Sequence, residues 1–137
     1  MGDELNILHA VSKAAGRSLD VDDFNDRLII QKGCYILNSH GYGPRFRFSL
    51  YIRGPYSSDL ADAYYKHRHE LDGPTDIPGS EIEELKCILD KGIRFAEAYS
   101  TVLLVKNSSM NPSPEGITKR SLAIKPHLRR EIEEACE

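Results

Sequence analysis

Between residues 45 and 53 the sequence interleaves cations with an aromatic residue: Arg45, Arg47, Tyr51 and Arg53. Guanidinium groups bind phosphate or carboxylate in two-pronged fashion, and a tyrosine ring offers a stacking face. In an extended chain, alternate side chains share a side. These four would therefore project away from the side taken by Phe46, Phe48, Leu50 and Ile52. Gly54-Pro55-Tyr56-Ser57 follows directly, a corner where backbone N–H groups at a helix start can attract an anion. The ordinary uses of the same residues are structural. The arginines would keep a strand edge solvated, the proline would set a turn, Tyr56 would pack, and Ser57 would cap a helix. Any binding function is expected to rest on Arg45, Arg47, Tyr51, Arg53, Gly54, Pro55, Tyr56 and Ser57, facing an acidic protein surface or a nucleic-acid backbone.

No other constellation points to chemistry. His67 and His69 lie two apart on a predicted helix, so they face different sides and share no metal. His9, His40 and His127 are isolated in sequence. Asp20, Asp22, Asp23 and Asp26 are interrupted by Val21 and Phe24 and lack the calcium-loop offsets. Helix capping and a solvated acidic surface are their expected roles. Cys34, Cys87 and Cys136 are odd in number and have no CxxC spacing, so free thiols are expected. There is no GxSxG elbow, Walker A loop or dinucleotide glycine motif, and no spacing links Cys34 to a histidine. The expectation is a protein without catalytic residues, metal or cofactor.

The elements that would position these residues are mostly helical. Residues 4–14 carry Leu5, Leu8 and Val11 at helical spacing, and Gly16 suits their end. Asp22 or Asp23 can cap a central helix from Phe24 towards Gly41, with Phe24, Leu28, Ile29, Tyr35, Ile36 and Leu37 on its buried arc. Gly33 in its interior marks close packing, at a cost of about 1 kcal/mol against Ala. Residues 42–53 alternate with period two and predict one strand, broken by Gly54-Pro55. Its partner would come from 74–78 or from 107–113. Ser57 or Ser58 starts a helix running to about Leu71, and 72–79 is a turn-rich loop. Ser80 and Glu83 form a capping box for a helix through Leu89. A further apolar helix covers 93–106, bent off near Gly92, and a loop spans 107–114. Ser113-Pro114-Glu115 opens a short helix that ends near Ile124, before Pro126. Residues 127–136 form a last charged helix. The fold class is mainly α (α+β), a compact helical domain with a small β-hairpin, winged-helix-like.

The run Phe24-Asn25-Asp26-Arg27-Leu28, then Gln31-Lys32 and Tyr35-Ile36-Leu37, leads to Phe46-Arg47-Phe48-Ser49-Leu50-Tyr51 and Arg53-Gly54-Pro55-Tyr56-Ser57. This pattern resembles the YwgA-like prokaryotic proteins, whose helix with "LQK..Y.L" precedes "F.F..Y..GPYS..L". Ala98-Tyr99-Ser100-Thr101-Val102-Leu103 and Ile124-Lys125-Pro126 extend the likeness over about residues 20 to 136. Gly33 departs from the pattern, where Leu or another apolar residue would be expected. More distantly, the order of helix, strand and Gly-Pro turn is similar to the Panacea (SocA-like) antitoxin domains. That resemblance implies partner binding without catalysis, in antitoxin or defence company.

The 137 residues are 40% hydrophobic and 28% charged, which suits one folded domain, 1–137. The net charge of −3 argues against a whole-surface polyanion binder. The charge is uneven, however. Residues 1–26 hold six acids against Lys13 and Arg17, while 44–53 hold three arginines and no acid. A C-terminal tract of Lys119, Arg120, Lys125, Arg129 and Arg130, followed by Glu131, Glu133, Glu134 and Glu137, reads as a charge-segregated surface fit for a partner or dimer contact. The acidic Met1-Gly2-Asp3-Glu4 start carries no signal-peptide pattern, and no apolar run could span a bilayer. A cytoplasmic, non-enzymatic module binding a protein partner or a second copy is the leading expectation. The alternative is a winged-helix-type regulator binding nucleic acid through the same face.

Overall fold

The computed structural model describes residues 3–108 and 113–136. Among them run seven α-helices: α1 (Asp3–Ala15), α2 (Phe24–Ser39), α3 (Ser58–Lys66), α4 (Gly79–Asp90), α5 (Ile93–Asn107), α6 (Pro114–Ile124) and α7 (Arg129–Ala135). A 3-10 turn, Pro126–Leu128, leads into α7, and a hairpin of β1 (Ser49–Tyr51) and β2 (Gly54–Tyr56) lies between α2 and α3. This is the mainly helical α+β class that the sequence predicts. No helix among the described residues is long and apolar enough to cross a membrane.

Three helices start as their residues dictate. Side-chain oxygens of Asp23, Ser57 and Ser113 accept from the backbone N–H groups of Asp26, Leu60 and Gly116, each three residues on. The capping box expected at Ser80 and Glu83 does not form. Gly79 is already helical, the Glu81 and Ile82 N–H groups donate to the Pro78 carbonyl, and Ser80 lies inside the first turn. Helix α3 stops at Lys66 rather than near Leu71. The chain then turns so that the carbonyls of Glu70 and Pro74 sit 2.7 and 2.8 Å from the two ring nitrogens of buried His9 on α1.

Helix α5 is the hub and packs against α2, α4, α6, α7 and β2. One apolar cluster joins α1, α2, α3, α4 and the start of α5 through residues such as Ile7, Val11, Ile30, Leu60, Leu85 and Phe95. A smaller one joins α5 to the C-terminal elements through Ala98, Leu128 and Ile132. Gly33 lets α1 approach α2, because a Cβ there would lie 2.9 Å from Val11 Cγ1. The close packing predicted for this glycine is therefore present. Phe24, by contrast, is half exposed rather than on the buried arc.

The long strand expected over 42–53 shrinks to β1. Its ladder has three pairs, Ser49 with Tyr56, Leu50 with Pro55 and Tyr51 with Gly54. The partner is the Gly-Pro-Tyr segment itself, not 74–78. Of the other expected partner, 107–113, residues 109–112 lie outside the described residues. The chain reverses over Ile52 and Arg53, so nothing is left to pair with residues 44–48. Phe46 and Phe48 still pack against the core, but Leu50 and Ile52 do not, being 39% and 85% exposed.

The aspartates around the start of α2 are more than a solvated surface. Asp26 is buried and accepts from both terminal nitrogens of Arg17, at 3.0 and 2.5 Å, and from the Asp20 backbone N–H at 2.8 Å. The Arg17 hydrogen bond holds the Asp26 carboxyl below the usual carboxylate range. A lowered pKa contributes stability above the unfolded value that is lost as pH falls through the folded one. Asp26→Asn is expected to cost about 2 kcal/mol at pH 7. In urea titrations the gap to wild type should close as pH falls below the native carboxylate range, and a pH-independent gap would refute the ion-pair account.

A cationic aromatic groove

One face of α2 carries Phe24, Arg27, Leu28, Gln31 and Lys32, spaced i, i+3, i+4, i+7 and i+8, the spacing that puts residues on a shared helix face. The hairpin lies across from it with Tyr51, Ile52, Arg53, Gly54 and Tyr56, and α3 closes one side with Tyr64 and Tyr65. Together they enclose a groove of about 600 Å³. Its rim is unusually apolar for surface: Phe24 is 50% exposed, Tyr51 58% and Tyr65 44%, beside the hairpin-tip Ile52. Exposed large apolar side chains gathered in one place mark interaction surfaces, whereas scattered ones do not.

The floor is polar. Gln31 clamps β2 to α2 through both ends of its amide, accepting from the Ser57 N–H at 2.9 Å and donating to the Ser57 carbonyl at 3.0 Å. Lys32, 1% exposed, donates from Nζ to the Pro55 carbonyl at 2.9 Å. Lys125 reaches up from the C-terminal end of α6 and donates to the carbonyls of Tyr51 and Ile52. Glu97 of α5 supplies the buried carboxylate, with Lys125 Nζ 3.6 Å and His127 Nε2 4.0 Å from its Oε2. Burial lowers the Lys32 pKa to about 8, with the Glu97 charge opposing that shift and Lys125 and Arg53 adding to it. Gly54 sits at φ +92°, where L side chains are strained, and a Cβ there would lie 3.2 Å from Thr101 Oγ1. The hairpin is thus held from below by two lysines and an amide, and its tip is left to solvent.

The eight residues singled out by sequence do not form one basic face. Arg47 is paired with Asp59, with Nε 3.0 Å from Oδ2. Arg45 lines a separate groove with Tyr35, Asn38 and Asn107. Only Arg53, Tyr51, Gly54 and Tyr56 line the groove described here. The physical reason is the short strand: with residues 44–48 outside any ladder, the alternation does not carry Arg45 and Arg47 onto the hairpin's side. The proposed anion corner is also spent internally. Gly54, Pro55 and Ser57 are buried, the Ser57 N–H is bonded to Gln31, and Ser57 Oγ caps α3.

Several groove residues escaped the sequence reading. The sequence places Phe24 on the buried arc instead of a groove rim, and shows Gln31 and Lys32 only as motif letters, although an amide and a lysine in the core-facing stripe of a helix are the available signal. Glu97 stands between Ala96 and Ala98 in an apolar helix, a carboxylate out of pattern. Lys125 stands in a tract that reads as charged surface, yet it is 5% exposed. Helix geometry gives no warning of that, because a residue outside the helical period is positioned by tertiary packing alone.

Elsewhere, His67 lies in the turn after α3 rather than on a helix, 3.2 Å from both Glu4 and Glu70. His40 is not isolated in space. It sits 2.7 Å from Glu81, and His40, Glu81 and Glu84 bring ligand-type atoms within 4.8 Å of one another. The glutamates occupy the first two turns of α4, where carboxylates complement the positive end of the helix. The three cysteines are free thiols, with Cys34 buried.

Comparison with protein-family models, with curated proteins and with solved structures finds no match. The function is therefore argued from the groove.

Proposed function

We propose that this protein is a non-enzymatic binding module that takes a protein partner in the groove between α2, the hairpin and α3. The observation that carries the proposal is the exposed apolar rim. Phe24, Tyr51, Ile52 and Tyr65 stand together around a cavity of about 600 Å³, with arginines beside them. Aromatic anchors with arginine are the composition of binding hot spots. A catalytic reading finds less support. Among the described residues no carboxylate, histidine or cysteine lines the groove, and the Lys32 amine is occupied at the Pro55 carbonyl. The more distant resemblance to the Panacea antitoxin domains adds antitoxin or defence company to the same proposal.

The nucleic-acid alternative asks for a row of free cations tracking a backbone. Arg47 is already paired and Arg45 faces another groove, so the hairpin offers that row less well than it offers an apolar anchor.

Ile52→Asp combined with Tyr65→Glu puts two acids on the rim at exposed positions. The double variant is expected to keep the wild-type circular dichroism and thermal midpoint within about 2 °C, since substitutions at exposed positions usually change stability little. In affinity capture from extract of the source cells, followed by quantitative mass spectrometry, it should lose its specifically retained proteins by at least about tenfold, as expected of hot-spot residues. Identical retention by wild type and the double variant would defeat the proposal.

A further inference from the structure

The charge on the groove is one-sided. The cations lining it are Arg27, Lys32 and Arg53, and among the described residues no Asp or Glu lines it, in a chain whose net charge is −3. Glu97 lies beneath the floor and is engaged with Lys125. Arg27 and Arg53 each hold their guanidinium carbon 5.6 Å from the centroid of the Phe24 ring. A guanidinium stacked on an aromatic ring keeps its planar edge of N–H donors free for a carboxylate. Arg27 uses part of its edge on the Val21 carbonyl, at 2.8 Å. Arg53 makes no hydrogen bond or ion pair among the described residues, and its remaining partner is the ring.

We infer that the groove is built for an acidic and apolar peptide segment of the partner, with an aromatic or aliphatic side chain lodged among Phe24, Ile52 and Tyr65 and a neighbouring carboxylate on Arg53. This rests on the binding-module reading above and specifies its occupant. Charge complementarity selects the acid, because a basic segment would meet the guanidinium groups of Arg27 and Arg53 with no carboxylate lining the groove among the described residues. The apolar rim selects a protein segment over a polynucleotide. Ile52 at 85% exposure gains by leaving water against an apolar side chain, not against a phosphate backbone.

The test uses the full chain as bait for a random dodecapeptide library displayed on phage. Enriched peptides are expected to pair Asp or Glu with Phe, Leu, Ile or Trp. Fluorescein-labelled copies are then titrated by anisotropy. Arg53→Glu should weaken them by at least about tenfold, which is 1.4 kcal/mol, in line with a charge-assisted bond. Lys119→Glu on α6, an exposed site with the same charge change, should alter them less than about twofold. Replacing the peptide acid with Lys should abolish binding to wild type and restore part of it on Arg53→Glu. Enrichment of basic peptides, no enrichment, equal binding by Arg53→Glu, or displacement of the peptide by a dT12 oligonucleotide at equal concentration would overturn the inference. Purely apolar peptides lost on Ile52→Asp but not on Arg53→Glu would also overturn it, while leaving the groove as a docking surface. The capture experiment with the rim variant tests that surface separately.

Discussion

Glu97→Gln is expected to destabilise the protein by about 3 kcal/mol at pH 7, because it leaves two buried ammonium groups without a counter-charge. For a chain of this size that corresponds to roughly 10 °C in the thermal midpoint. The substitution preserves shape, so the loss reads the charge rather than a cavity. Lys32 and Lys125 are both almost fully buried, and both donate to hairpin carbonyls that would lose their donors if the ammonium groups withdrew. The pH dependence gives an independent check. The Lys32 pKa in the fold, about 8, is below its ordinary value of 10.5. Between those values the unfolded chain binds more protons, so the fold gains stability as pH rises through the window. A neutral Lys32 no longer needs Glu97, so the gap between Glu97→Gln and wild type should be widest near pH 6 and narrower near pH 10. Comparing variants at each pH removes the opposing contribution of Tyr35, Tyr64 and Tyr99, whose burial raises their own pKa values. Adding Lys32→Met to Glu97→Gln should recover part of the loss. A midpoint within 2 °C of wild type, or a gap constant from pH 6 to 10, would refute this account of the hairpin's floor.

Gly33→Leu is the second large expectation, at about 3 kcal/mol or more of destabilisation in urea titrations. Leucine has a higher helix propensity than glycine, so a sequence argument alone would call the change benign. The packing says otherwise. A Cβ would meet Val11 Cγ1 at 2.9 Å and Cγ2 at 3.0 Å, and Val11 itself is fully buried and stiff. Even Gly33→Ala sets the helix-propensity gain of about 1 kcal/mol against that contact. The discriminating measurement is a double-mutant cycle with Val11→Ala. Val11→Ala alone should cost about 2 kcal/mol by leaving a cavity. Gly33→Ala together with Val11→Ala should be more stable than the sum of the singles by at least about 1 kcal/mol, because the new methyl fills the vacated space. Additive effects would show that α1 and α2 do not meet at this point.

The helices were legible because they are announced locally. Asp23, Ser57 and Ser113 each have an oxygen one turn from an N–H that needs it, and Gly16, Gly41 and Pro126 stand where helices must stop. Period-two alternation over 42–53 was equally visible but overstated the strand. Alternation shows which faces a segment can present, not whether a neighbour exists to complete the ladder. The neighbour here is only three residues long, since Tyr56 runs straight into the cap of α3.

The groove was half legible. Arg53, Tyr51, Gly54 and Tyr56 were picked out by residue type, and Arg45 and Arg47 by the same logic with a different outcome. What the linear pattern lacks is the other wall. Phe24, Arg27 and Lys32 precede the hairpin by 17 to 25 residues, and Tyr65 lies on the following helix. Lys125 is more than 70 residues from the carbonyls it holds.

The sequence by itself determined a mainly helical chain with a β-hairpin, the positions of the caps and breakers, and a charge distribution more uneven than its net −3. These follow from neighbours a few residues apart, whose geometry is set by backbone sterics and hydrogen bonding. Only the tertiary structure decided that Gly54-Pro55-Tyr56 is the second strand. It also decided that Lys32, Glu97 and Lys125 are buried under that strand, and that one arginine of three belongs to the groove. Those outcomes depend on burial, which sums contacts across the whole chain and reverses the meaning of a charge from solvated surface to buried support.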